Sequence, residues 1–121
     1  MPIEYVIDAP RQTVQIICHG EVTAKDIMQH QQKILSDSQF NPDFSALIDA
    51  SGLAGFGVSW DLLNRLKYDD PFSGKSRRAV VAPGNLAFGL GRMYQSLRHD
   101  SNFAVFRTLD GARKWIQFGI K

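Results

Sequence analysis

The side chains most suited to catalysis or metal binding are three histidines and one cysteine. His19, His30 and His99 lie far apart along the chain, and none belongs to a recognised metal-ligand motif. Cys18 falls in a predicted buried strand, where the base and positive charge that activate a thiol are not expected. No Gly-x-Ser-x-Gly pattern occurs. We therefore expect no catalytic residue, no metal and no cofactor.

Two glycine-rich segments are the next candidates for chemistry. Residues 51–57 read Ser-Gly-Leu-Ala-Gly-Phe-Gly, and residues 83–85 read Pro-Gly-Asn. Each is predicted to link a strand to a helix, where backbone N–H groups and the helix dipole can bind an anion. Neither matches a phosphate-binding or dinucleotide-binding glycine pattern, and the alternative is that the glycines permit tight turns and close packing. The ligand or partner candidates around the first segment are Asp49, Ser51, Gly52, Gly57, Ser59 and Trp60.

A third candidate is the helix predicted after Pro83. Gly89 and Gly91 lie in its interior, where each glycine costs ~1 kcal/mol relative to alanine. Close approach of a neighbouring element or of a second subunit would offset this cost. Phe88, Arg92, Met93 and Tyr94 surround the glycines and are residue types enriched at protein interfaces. The sequence leaves open whether this helix faces an interface or the core.

Charged residues cluster only in a loop-like segment near the middle of the chain. Lys75, Arg77 and Arg78 follow a Pro- and Gly-containing stretch, and three basic residues in one loop are expected to be solvated. Asp69 and Asp70 are predicted to end a helix with their carboxylates facing solvent. We expect no nucleic-acid partner.

Secondary structure follows from local patterns. Two β-branched runs around Pro10 predict a hairpin, Gly20 is expected to end its second strand, and Thr23 with Asp26 has the pattern of a helix N-cap. Later strands alternate with helices, which favours parallel pairing through right-handed crossovers. The fold class is therefore α/β, with a mixed sheet in the order β-β-α-β-α-β-α-β-α. The predicted strands are 3–8, 13–19, 45–49, 79–82 and 103–106, and the predicted helices are 24–36, 59–69, 85–100 and 109–118.

Length and composition describe an ordinary globular chain. A length of 121 residues fits one domain, which we place over residues 1–121. The 44% hydrophobic and 21% charged residues exclude disorder as the default state. The net charge of +2 is spread along the chain, which gives no sign of a nucleic-acid-binding face. We expect no signal sequence and no membrane insertion, and a cytoplasmic location.

Several short segments resemble STAS domains. Residues 46–53, Ala-Leu-Ile-Asp-Ala-Ser-Gly-Leu, are similar to the strand ending in Asp-Leu-Ser-Gly-Val of anti-sigma-factor antagonists and their SpoIIAA-like relatives. The element order matches over nearly the whole chain. A closer resemblance is to uncharacterised bacterial STAS-like proteins of about this length. It is carried by residues 20–23, 78–83, 87–95, 105–107 and 112–116.

The resemblance implies a SpoIIAA-like fold and, in antagonist STAS proteins, a serine phosphorylated by a partner kinase. Ser59 takes that serine's position by order, without the flanking Asp and Gly of the family pattern. The leading hypothesis is a non-catalytic interaction or regulatory module, a homodimer with a possible protein partner, using residues 51–59 and 88–94. The alternative is a carrier that encloses a lipid or anionic metabolite beneath Trp60 and Phe88. An enzyme built from Asp49, His30, His99 or Arg92 is the weakest alternative.

Overall fold

The computed structural model describes residues 2–57, 61, 64–65, 70–98 and 102–118. Of the helix predicted over 59–69, only residues 61, 64 and 65 are described, and all three are helical. The other elements follow one another in the predicted order, and β2 and β3 extend beyond their predicted ends. They are β1 Ile3–Asp8, β2 Thr13–Thr23, α1 Ala24–Leu35, β3 Ser45–Gly57, β4 Arg78–Val81, α2 Asn85–Arg98, β5 Phe103–Phe106 and α3 Leu109–Phe118.

The strands form one five-stranded sheet in the order β1-β2-β3-β4-β5. The hairpin pairs β1 antiparallel to β2, with Ile3 opposite Cys18. The pairs β2–β3, β3–β4 and β4–β5 are all parallel. Parallel pairing requires a crossover that returns the chain to the same end of the sheet before each new strand. The mixed α/β sheet predicted from the sequence is therefore confirmed.

Strand alternation sends successive side chains to opposite faces of the sheet. On one face, α3 inserts Trp115 against Ala79 and Val81 of β4. On the other face, α1 packs Ile34 against Val14 of β2. Helix α2 lies on the same face as α1, where it packs against β5.

The junction between β2 and α1 confirms one local prediction and corrects another. The hydroxyl of Thr23 accepts a hydrogen bond from the backbone N–H of Asp26, whose carboxylate accepts one from the backbone N–H of Thr23, so the N-cap is formed. Gly20 does not end β2 as expected. It takes a φ of +67°, which glycine tolerates, and the strand continues through an irregular register to Thr23.

Strand β3 is much longer than predicted. It was expected to stop at Asp49 and enter a small-residue turn, but it continues to Gly57 beside the extended part of β2. A Cβ at Gly52 would lie 3.3 Å from the Cβ of His19, and one at Gly55 would lie 3.3 Å from Cγ of Glu21. The glycines of residues 51–57 therefore permit close approach of two strands. The strand-to-helix turn expected over residues 50–57 was therefore wrong, and the alternative that the glycines serve close packing is supported at Gly52 and Gly55.

The two glycines of α2 have different surroundings. A Cβ at Gly91 would lie 3.0 Å and 3.1 Å from the two Cγ atoms of Val105, so the helix needs glycine there to approach β5. A Cβ at Gly89 would meet no atom within 4 Å. Close packing thus explains Gly91, whereas Gly89 has no such contact with the residues that the structure describes.

We expect Gly89→Ala to raise the free energy of unfolding by up to about 1 kcal/mol, because alanine is the better helix former. Gly91→Ala should lower it by about 1 kcal/mol, since a new methyl against the stiff Val105 side chain overpacks the contact. Urea denaturation followed by circular dichroism measures both. Val105→Ala should relieve the crowding in the Gly91→Ala background. Equal stabilisation by both alanines would contradict the close-approach explanation.

Candidate functional site

A cavity of about 230 Å³ lies between the sheet and the two helices on its α1 side. Alternation along the strands turns Ile16, Ile48 and Val80 towards it. Helical spacing brings the inner side of α2 to the opposite wall, at Ala87, Leu90, Gly91 and Tyr94. The described wall is almost wholly apolar apart from one group of polar side chains.

That polar group joins a loop, a strand and a helix. Oδ2 of Asp70 accepts hydrogen bonds from Nη1 of Arg78, at the start of β4, and from Nη1 of Arg98, at the end of α2, the latter at 2.6 Å. The side chains of Arg78, Arg98 and Asp70 are only 3%, 9% and 14% exposed. All three line the cavity. Buried charges of this kind must be paired to be stable.

Aromatic rings complete the polar end of the cavity. The guanidinium of Arg98 lies 5.7 Å from the ring centroid of Tyr94 and 5.5 Å from that of Phe103. Burial raises the pKa of Tyr94, so its phenol stays protonated at neutral pH. Burial lowers the pKa of Arg98, but its hydrogen bonds to Tyr94 and Asp70 outweigh burial and leave the pKa raised. This end of the cavity therefore presents a permanent cation and a neutral hydroxyl.

The sequence gave no expectation of this charged group, because Asp70 and Arg78 were expected to be solvated. That expectation was wrong for both residues, and Arg77 is also engaged. Its Nη1 donates to the carbonyl oxygens of Trp115 and Ile116, at 3.4 and 3.3 Å. A usable signal was present, since strand alternation in Arg78-Ala79-Val80-Val81 places Arg78 on the same face as Val80.

The structure separates the residues that the sequence singled out on α2. Of these, Tyr94 lines the cavity. Phe88 is half-buried, with the guanidinium of Arg107 3.9 Å above its ring centroid. Arg92 and Met93 lie on the exposed side of the helix. Helix α2 therefore faces both ways, with one side on the cavity and one side on solvent.

The candidates on β3 lie away from the cavity. Asp49 accepts a hydrogen bond from the backbone N–H of Ser51 at 2.9 Å, and Gly52 packs beside His19. Gly57 is the last residue of β3. Ser59 and Trp60 lie outside the described residues. Phosphorylation of Ser59 and enclosure of a ligand beneath Trp60 therefore stay predictions.

His30 and Cys18 also line the cavity, and burial keeps both in the uncharged form. Burial, helped by Lys33, lowers the pKa of His30 to about 4. Burial, helped by the charge of Asp49, raises the pKa of Cys18 to about 11. Neither group is poised for acid–base or nucleophilic chemistry at neutral pH. Among the described residues, no group of three or more His, Cys, Asp or Glu could hold a metal ion.

No family model and no curated protein matches the chain, whereas six chains of solved structures do. The crystal structure of an uncharacterised DUF3478-family protein from Shewanella loihica PV-4, described as having a SpoIIAA-like fold, superposes with a TM-score of 0.64. The likeness covers 94% of this chain and 91% of that one, at 20% sequence identity. The fold is SpoIIAA-like.

The SpoIIAA-like fold agrees with the resemblance drawn from residues 46–53. At this level of identity the likeness concerns the arrangement of strands and helices, and the site must be judged from its own residues. In the part of the chain that the structure describes, every helix is too short or too polar to span a bilayer.

The low pKa of His30 gives a pH-dependent stability. The unfolded chain binds a proton at this histidine near pH 6.5, whereas the folded protein does so only near pH 4. The contribution of neutral His30 to the free energy of unfolding is therefore fully present above about pH 6.5. It is lost as the pH falls towards 4, by about 3 kcal/mol in total.

We expect His30→Gln to flatten the dependence of unfolding free energy on pH between 6.5 and 4. Urea denaturation at a series of pH values measures the difference from the wild-type protein. An unchanged slope in His30→Gln would show that His30 is not held neutral by burial.

Proposed function

We propose that the chain is a single non-catalytic STAS-like domain of the cytoplasm that binds a small apolar or amphiphilic molecule. The observation that carries the proposal is the cavity of about 230 Å³ between the sheet, α1 and α2. An apolar cavity of about 150 Å³ is enough to bind benzene, so this one has room for a larger molecule. Its wall, mostly apolar with a few polar groups, is typical of a small-molecule site.

The chemistry of the wall supports binding without catalysis. Ile16, Ile48 and Leu90 offer apolar contacts, and the two titratable groups beside them, His30 and Cys18, are uncharged at neutral pH. A base with a pKa near 4 and a thiol with a pKa near 11 are poorly matched to reactions at that pH. The favourable free energy would come from burying the ligand's apolar surface.

We expect 1-octanol to raise the melting temperature of the protein, because a ligand that binds only the folded state stabilises it. Ala87→Phe should abolish this increase by filling the cavity from α2. Met28→Phe enlarges an exposed residue of α1 and should keep the wild-type response. Differential scanning calorimetry and isothermal titration calorimetry give the two readouts. Equal octanol binding by Ala87→Phe and wild type would contradict the cavity as the binding site.

A second candidate function, the homodimeric interaction module, is favoured by the outer side of α2. Leu86 is 65% exposed and Met93 is 39% exposed, and Gly89 lies between them at helical spacing. A glycine with open space above it allows a second helix to approach closely. We propose that this side of α2, named here the Leu86–Met93 face, packs against its own copy about a two-fold axis.

We expect analytical ultracentrifugation to find a dimer that Met93→Glu converts to a monomer, because the charge would be buried in the interface. Met28→Glu places the same charge on an exposed methionine of α1 and should leave the dimer intact. A wild-type protein that stays monomeric at the highest attainable concentration would rule out the Leu86–Met93 face as a dimer interface.

A further inference from the structure

We infer that Asp70 occupies the place of a ligand carboxylate, and that an amphiphilic carboxylate entering the cavity displaces Asp70 from Arg78 and Arg98. The inference rests on the proposed binding of a small molecule in the cavity and adds the ligand's chemical class and a means of regulation.

Burial of the two arginines makes them unusual as a purely structural tie. Their side chains are 3% and 9% exposed and lie in the wall of a cavity whose other described walls are almost wholly apolar. A buried ion pair gives little net stability compared with apolar residues of the same volume. Guanidinium groups at the end of an apolar cavity do, however, match a molecule with an apolar body and one carboxylate.

The two arginines belong to regular secondary structure, whereas Asp70 belongs to an irregular segment. Arg78 begins β4, where its backbone N–H donates to the carbonyl oxygen of Asn102 at 2.8 Å, and Arg98 ends α2. Asp70 belongs to the irregular segment between β3 and β4. The arginines are therefore held by regular structure, whereas the carboxylate is carried by the segment better able to move.

One oxygen of Asp70 shows where a ligand oxygen would bind. Oδ2 accepts from both arginines, while Oδ1 accepts from the backbone N–H of Phe72 at 3.0 Å. Nη1 of Arg98 also donates to the hydroxyl of Tyr94 at 3.4 Å, so this phenol and Oδ2 of Asp70 share one guanidinium nitrogen. A bound carboxylate would thus replace one carboxylate with another, which leaves the charge around the arginines unchanged.

Displacement of Asp70 would also change the conformation of a surface loop when the ligand binds. The segment that follows Asp70 is tied to the loop after α1, since the backbone N–H of Ser73 donates to the carbonyl oxygen of Pro42 at 2.8 Å. Phe72 packs edge-on against Phe40, with 5.2 Å between ring centroids. A shift of Asp70 therefore alters an exposed loop region while the sheet stays in place.

The test compares octanoate with 1-octanol, which share a chain length and differ in the carboxylate. In the wild-type protein octanoate must displace Asp70, whereas in Asp70→Asn it meets a neutral and weaker competitor. We expect Asp70→Asn to bind octanoate at least about tenfold more tightly than wild type, with 1-octanol affinity unchanged. Asp110→Asn removes an exposed carboxylate of α3, on the opposite face of the sheet, and should alter neither affinity.

Isothermal titration calorimetry gives the affinities, and circular dichroism checks that each variant is folded. If Asp70→Asn is too unstable, Arg98→Met in its place should reduce octanoate affinity to that of 1-octanol. Octanoate binding that is unchanged or weaker in Asp70→Asn overturns the inference, and if 1-octanol still binds, the proposed function stands. If neither probe binds any of these proteins, both the inference and the proposed function fail.

Discussion

Strand β4 lies between two parallel neighbours and under helices on both faces, and this double burial governs the rest of the structure. Ala79 and Val81 must fit beneath α3, while Arg78 and Val80 must fit on the opposite side. Because Arg78 cannot reach solvent from there, it needs a buried anion. Asp70 supplies one, and the chain between β3 and β4 must therefore return to the sheet at that point.

The two sides of the sheet are filled to different extents. On the α3 side, the large ring of Trp115 closes the layer between small residues such as Ala79, Ala104 and Ala112. On the other side, Ala87, Leu90 and Tyr94 of α2 line a cavity against the strands. Among the described residues, the sheet is thus covered by a packed layer on one side and by a cavity on the other.

Local signals in the sequence predicted most of the architecture. The hairpin, the Thr23 cap and the strand–helix alternation depend on residues within a few positions of one another, and all three are present. The extension of β3 was missed because a glycine-rich segment, taken by itself, is typical of a turn. Gly52 and Gly55 are instead required by the close side chains of β2. That contact is set by sheet register, which a short segment does not reveal.

The candidate site was less predictable than the fold for the same reason. Tyr94 was singled out by residue type, but Asp70, Arg78 and Arg98 come from three elements whose meeting depends on tertiary packing. A charged loop read along the chain is normally solvated, and only the alternation in β4 indicated otherwise. The adjacent side chains of Arg77 and Arg78 lie on opposite faces of the sheet. Arg77 donates to carbonyl oxygens near the end of α3, and Arg78 lines the cavity.

The burial of Arg78 also disfavours a one-residue slip of β4 against β3. If β4 slipped by one residue against β3, Arg78 would be forced beneath Trp115, and its partner carboxylate would be left on the far side of the sheet. A strand of only four residues has few other means of rejecting a shifted alignment. The ion pair between Arg78 and Asp70 therefore disfavours a shifted register of β4 as well as stabilising the native register.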